Sequence, residues 1–197
     1  MQRKKLTIFI ILIFLMIFLF FLVFNYNSRK NGNNIIKSAD GIKNYILNIS
    51  SYTLQADVIV NSNKNQNKYI IKQEYEKKDN LFRQEVLEPS NLKGIITIYD
   101  GNNLSIENNN FSLSKIYENY PFINSNNLWI NSFIEDLKIE DCIIHEEENV
   151  FNLQVENGQY KKTLLINKET YKPEKLVVED SSKNISVYIE YKEIEIN

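Results

Sequence analysis

Cys142 and His145 are the only cysteine and the only histidine in this chain of 197 residues. Any thiol, imidazole or transition-metal chemistry has to begin with them. Both fall in a short run with the composition of a β-strand, where residues three apart point to opposite faces. They therefore cannot grip one metal, and a zinc site needs several Cys or His ligands. A Ser-His-Asp or Cys-His arrangement would have to recruit His145, which is followed by Glu146-Glu147-Glu148, a run that reads as a solvated hairpin end. The chain has no nucleophile-elbow glycine pattern and no glycine-rich phosphate loop. Its many carboxylates alternate along strands, the habit of a wet sheet face. No catalytic residue, no metal ligands and no cofactor are expected.

Aromatic side chains are the other candidate for a function. With 12 Tyr and 11 Phe, most must fill pleats and pair across strands. Some can line a groove or a protein interface, where Tyr and Trp are favoured. Leu128, Trp129, Phe133 and Leu137 follow a helical spacing, behind Asn126 or Asn127 as a cap. Trp129, Phe133 and Leu137 are thus the candidate lining of a ligand or partner groove, on a helix that interrupts a series of strands. Ordinary core packing is the plainer explanation of such a face.

The elements that would hold that helix are legible from period. Ile35, Ile36, Ala39, Ile42, Ile46 and Ile49 make one face of a helix over about residues 34–48. From Tyr52 the period becomes two, and strands alternate with polar turns: residues 52–60, 69–76, 82–88, 95–100, 104–107 and 111–113. Residues 114–140 break the alternation. Strands resume at 142–147, 150–156, 162–167, 175–180 and 185–194. Asp100-Gly101-Asn102-Asn103 and Asn157-Gly158 are hairpin turns, and Pro89 ends a strand by removing a ladder donor. Short turns require an antiparallel sheet. The fold class expected is mainly β with helices (α+β): a strongly curved antiparallel half-barrel of about 11 strands, with helices over its concave face.

Leu6–Phe24 is an unbroken apolar run led by Arg3, Lys4 and Lys5. As a helix it rises ~28 Å, near the ~30 Å hydrocarbon core of a bilayer. A cleaved signal has a shorter core, about 7–15 residues, and a small-residue site; Asn25–Lys30 offers none. A retained transmembrane helix is expected, with the N-terminus cytoplasmic. The organisation expected is a cytoplasmic residues 1–5, an anchor at 6–24, a polar tether at 25–34 and an extracytoplasmic domain at 35–197. Three of the 23 basic residues and none of the 25 acidic ones precede the run, so the exported part is more acidic than the formal net charge of −2. A mildly acidic body excludes nucleic acid as a partner. One cysteine allows no internal disulfide, and the core must hold the fold.

Several stretches resemble one family. Arg83-Gln84-Glu85-Val86-Leu87-Glu88-Pro89, Asn91-Leu92-Lys93-Gly94 and Thr97-Ile98-Tyr99-Asp100-Gly101 are similar to the LolA-like lipoprotein-carrier superfamily, and most like its branch of germination lipoproteins related to GerS. Asn131–Asp136 and Tyr171-Lys172-Pro173-Glu174-Lys175-Leu176 fit the same pattern. The resemblance spans roughly residues 35–195. It marks Pro89, Asn91, Gly94, Asp100, Gly101 and Pro173 as structural motif positions. It implies an incomplete curved barrel with helices over the open face, matching the periodicity. It also implies two functions: partnership with a cell-wall amidase in spore cortex modification and germination, the partner holding the zinc, or binding of lipid or lipoprotein acyl chains in an apolar concavity. Another envelope protein, or a second copy pairing through strand edges, are further partners to be expected of an open barrel. The place would be the cell or spore membrane. The sequence departs from the family in one respect: no lipidation cysteine follows Phe24, so an anchor helix would replace the lipid.

Overall fold

The structure is a computed structural model. It describes residues 38–62, 64–108, 111–121, 126–182 and 185–197. The anchor and tether expected at 6–24 and 25–34 lie outside the described residues, as do the first residues of the predicted N-terminal helix. Among the described residues, no helix is long and apolar enough to cross a membrane.

The chain divides into two compact units, residues 1–43 and 44–197, with the boundary inside α1 (Ala39–Leu47). In the first unit, Ser38 caps the helix: its Oγ accepts the Gly41 N–H at 3.0 Å, satisfying one orphan donor of the first turn. In the second unit, Ile46 and Ile49 of the apolar repeat are buried.

The second unit holds eleven strands in one open sheet: β1 (Ser51–Ser62), β2 (Asn65–Glu76), β3 (Leu81–Glu88), β4 (Ile95–Tyr99), β5 (Leu104–Asn108), β6 (Leu113–Tyr117), β7 (Cys142–Glu146), β8 (Val150–Glu156), β9 (Tyr160–Asn167), β10 (Pro173–Asp180) and β11 (Ser186–Ile196). All neighbours are antiparallel, in the order β6-β5-β4-β3-β2-β1-β11-β10-β9-β8-β7. Two meanders thus meet at the central β1–β11 pair, and the chain between β6 and β7 must travel from one sheet edge to the other. That connection carries α2 (Ile130–Ile139).

Alternation chooses the face on which α2 lies. Tyr52, Leu54, Ala56 and Val58 of β1 are buried, and so are Ile71, Phe82, Leu153, Leu164, Ile166, Leu176, Val178 and Ile189 from other strands. Each large side chain so buried contributes about 2 kcal/mol. The opposite face carries ion pairs in water, such as Lys72–Glu74 and Lys192–Glu190.

The sheet is curved, and α2 shows why it must be. Trp129 packs on Phe82 of β3, while the Ser132 carbonyl accepts from Lys162 of β9. Those strands stand five places apart in the sheet, about 24 Å if flat at ~4.8 Å per strand. Three helical residues advance only ~4.5 Å, so the strands wrap the helix.

Two local expectations are corrected. Residues 111–113 were expected to be the sixth strand, but β6 runs Leu113–Tyr117. Both faces of this edge strand are largely wet, so no apolar alternation marks it. Asn126 and Asn127 do not cap α2: the N-cap is Trp129, with no side-chain cap bond. The Asn126 Oδ1 instead accepts the Leu128 N–H at 3.1 Å, shaping the turn before the helix.

Candidate functional site

Trp129, Phe133 and Leu137 come together on one face of α2 and are 1 %, 0 % and 1 % exposed. They face the sheet and pack against its apolar side. Trp129 stands edge-on to Phe82, ring centres 5.2 Å apart. Phe82 belongs to a row that crosses the sheet at one level: Tyr52 opposite Tyr75, Tyr75 opposite Phe82, Phe82 opposite Tyr99, Tyr99 opposite Leu104, and Leu104 opposite Tyr117. Centre-to-centre distances of 5.3, 4.7 and 6.0 Å link the first four rings, a spacing at which tilted aromatic pairs attract.

Polar side chains pin α2 from both halves of the sheet. On the β1–β3 side, the Tyr52 hydroxyl donates to Asn131 Oδ1 at 2.7 Å. The Gln73 amide donates to Gln84 Oε1 at 2.9 Å and to the Leu128 carbonyl at 3.3 Å. Burial pushes the Tyr52 and Tyr191 hydroxyls well above the ordinary tyrosine range, so both stay neutral. On the β8–β9 side, Lys162 is 3 % exposed. Its ammonium meets Asp136 Oδ2 at 2.7 Å and donates to the Ser132 carbonyl at 3.1 Å. The Asn157 amide donates to the same Asp136 oxygen at 3.1 Å.

The motif positions lie in turns and at strand ends. Pro89 and Asn91 belong to the β3–β4 connection, where the Leu92 N–H donates to the Pro89 carbonyl at 2.9 Å and the Gly94 N–H to the Val86 carbonyl at 2.8 Å. Gly94 has φ +81°. In the β4–β5 turn, Asp100 Oδ1 accepts the N–H groups of Asn103 (2.7 Å) and Asn102 (3.0 Å). These backbone donors, Asn103 first, hold its carboxyl below the ordinary range. Gly101 (φ +93°) has no room for a Cβ, which would stand 2.7 Å from Asn80 Nδ2. Pro173 is buried at the start of β10, opposite Ile166.

His145 is exposed on β7 opposite Asn152, and Cys142 is half-buried. Among the described residues, no three His, Cys, Asp or Glu side chains gather as a metal site.

What the molecule does present is edges. Among the described residues, β6 pairs only with β5 and β7 only with β8, so within them each keeps one side of its backbone ladder unpaired. β6 exposes Leu113 and Ile116, at 50 % and 62 %, and Phe111 beside it is 73 % exposed. An edge with apolar side chains is able to accept a strand from another chain.

No protein-family model matches this chain, and no curated protein does. Solved structures do. An uncharacterized conserved protein from Thermus thermophilus superposes with a TM-score of 0.54 at 13% identity, over 82% of this chain and 88% of that one. A chain in the structure of the CwlD amidase from Clostridioides difficile in complex with the GerS lipoprotein matches at 25% identity and a TM-score of 0.50, over 80% of this chain and 93% of that one. The expected likeness to GerS-related proteins is supported by this match. A LolA superfamily protein from Nitrosomonas europaea also matches, at 12% identity and a TM-score of 0.48, over 81% of this chain and 94% of that one.

Proposed function

We propose that this chain is a non-catalytic binding module, held by an N-terminal transmembrane helix on the outer side of the cell or spore membrane, whose partner is a cell-wall amidase. The observation that carries the reading is the match to the amidase–GerS complex at 25% identity over 80% of the chain. The geometry supports it. The apolar side of the sheet is occupied by the chain's own Trp129, Phe133 and Leu137, and the sheet edges are open to another chain. β6, with Leu113 and Ile116 exposed, is the docking strand in this reading, and a second copy of the chain is the competing occupant. The role that follows is cortex modification and germination, with the amidase supplying the catalysis.

Binding of an acyl chain is the alternative; at Trp129, Phe133 and Leu137 it would require α2 to leave the sheet, whereas the cavity of about 440 Å³ beside Val58, Tyr69, Ile70 and Pro89 stands clear of that helix. An anchored body is also a poor shuttle between membranes. Native mass spectrometry decides between the two: the proposal expects no co-purifying lipid.

The test of partnership is capture. Residues 25–197, immobilised and exposed to a lysate of the host, retain a cell-wall amidase in this reading. Retention of no wall enzyme contradicts it.

A further inference from the structure

The β8–β9 hairpin turns at Asn157-Gly158, and its geometry has chemical consequences. Gly158 has φ +79°, and a Cβ built on it would meet nothing within 4 Å. Among the described residues its N–H has no hydrogen-bond acceptor. Asn157 Oδ1 accepts the backbone N–H groups of Gln159 at 3.2 Å and Tyr160 at 2.9 Å. Asn157 Nδ2 donates to Asp136 Oδ2, the oxygen paired with the buried Lys162.

We infer that Asn157 is a site of spontaneous covalent modification: its side-chain amide deamidates, and the carboxylate so formed loosens α2 by facing Asp136. The Gly158 nitrogen, open to solvent and unencumbered by a side chain, loses its proton to hydroxide and attacks Asn157 Cγ. A nitrogen–carbon bond forms, the Cγ–Nδ2 bond breaks, and ammonia leaves with a proton from water. Water then opens the cyclic imide at either carbonyl, giving aspartate or isoaspartate. Water enters, ammonia departs, and nothing is oxidised. The two N–H donors on Oδ1 draw electron density toward the oxygen and stand ready for the oxyanion of the tetrahedral intermediate.

The consequence follows from Asp136. The amide that donated to its Oδ2 becomes a carboxylate, which repels it and competes for the single Lys162 ammonium. Like charges in a partly buried site are destabilising, and here they strike the Asp136–Lys162 ion pair that fastens α2 to β9.

The experiment ages the full chain, purified in mild detergent, in mildly alkaline buffer and follows the peptide containing Asn157 by mass spectrometry. Asn31-Gly32, the other Asn-Gly pair in the sequence, is the internal reference. Conversion at Asn157 is expected, faster at higher pH. Asn157 remaining an amide while Asn31 converts overturns the proposal. In parallel, N157D lowers the unfolding midpoint by roughly 3–6 °C, and the same substitution has a smaller effect in a D136N background. An unchanged midpoint for N157D, or an undiminished effect in D136N, overturns the link to α2. If N157D does not accumulate, the midpoint of the naturally converted fraction gives the same answer.

Discussion

Lys162 shows what a single inward-pointing charge demands. It shares a phase with Leu164 and Ile166 along β9, so its ammonium enters an apolar layer. Isolated there it would be prohibitively costly; Asp136 and the Ser132 carbonyl compensate it. Lys162→Ala leaves Asp136 without its cation, and a loss of about 3 kcal/mol is expected in denaturant unfolding. Lys162→Met with Asp136→Leu removes both charges and recovers most of that loss. A single variant as stable as the parent would show that the pair does not fasten α2. Asp100 makes a different prediction. Backbone N–H donors stabilise its charged form in the fold, so its native pKa lies below the unfolded one. The stabilisation is present above the ordinary aspartate range and is lost as pH falls through the depressed native value. NMR titration of the Asp100 carboxyl should give a midpoint below the ordinary aspartate range, and D100N should abolish that part of the acid dependence. A midpoint within or above the ordinary aspartate range contradicts the turn geometry.

Among the elements, α2 carries the most consequence. Trp129→Ala removes the edge-on partner of Phe82 from a fully buried place, and a loss of about 3–5 kcal/mol follows. A loss below 1 kcal/mol would mean that Trp129 is not part of the core. This element was only half legible in the sequence. The spacing of Trp129, Phe133 and Leu137 marks an apolar face, and the structure buries that face as core. Its start could not be read, because the Asn126 side chain that suggests a cap serves the preceding turn instead. The strands were legible wherever one side is dry: Val150–Glu156 alternates cleanly and forms β8 over the span expected. β6 was not, since an edge strand wet on both faces has no period to read. The pins were legible only in part. Gln73 and Lys162 break an apolar alternation, which signals a buried polar contact, but their partners on α2 lie far away in sequence and only the folded sheet brings them together.

At the scale of the whole molecule, an open sheet filled on its apolar side by its own helix leaves its edges for other chains. If β6 is the docking strand, Leu113→Lys with Ile116→Lys weakens amidase capture severalfold or more, while stability changes by no more than about 0.5 kcal/mol because both side chains are exposed. Undiminished capture would place the partner elsewhere, with β7 the next candidate. The proposed anchor fits a binding role better than a carrying one: a body tethered in that way would position or sense a partner but would not leave its membrane. Partnership is the central claim, and co-elution tests it most directly. The full chain in detergent, mixed with the purified wall amidase of the same cell, should elute with it as one complex of defined stoichiometry. Separate elution of the two proteins at micromolar concentration would contradict the account.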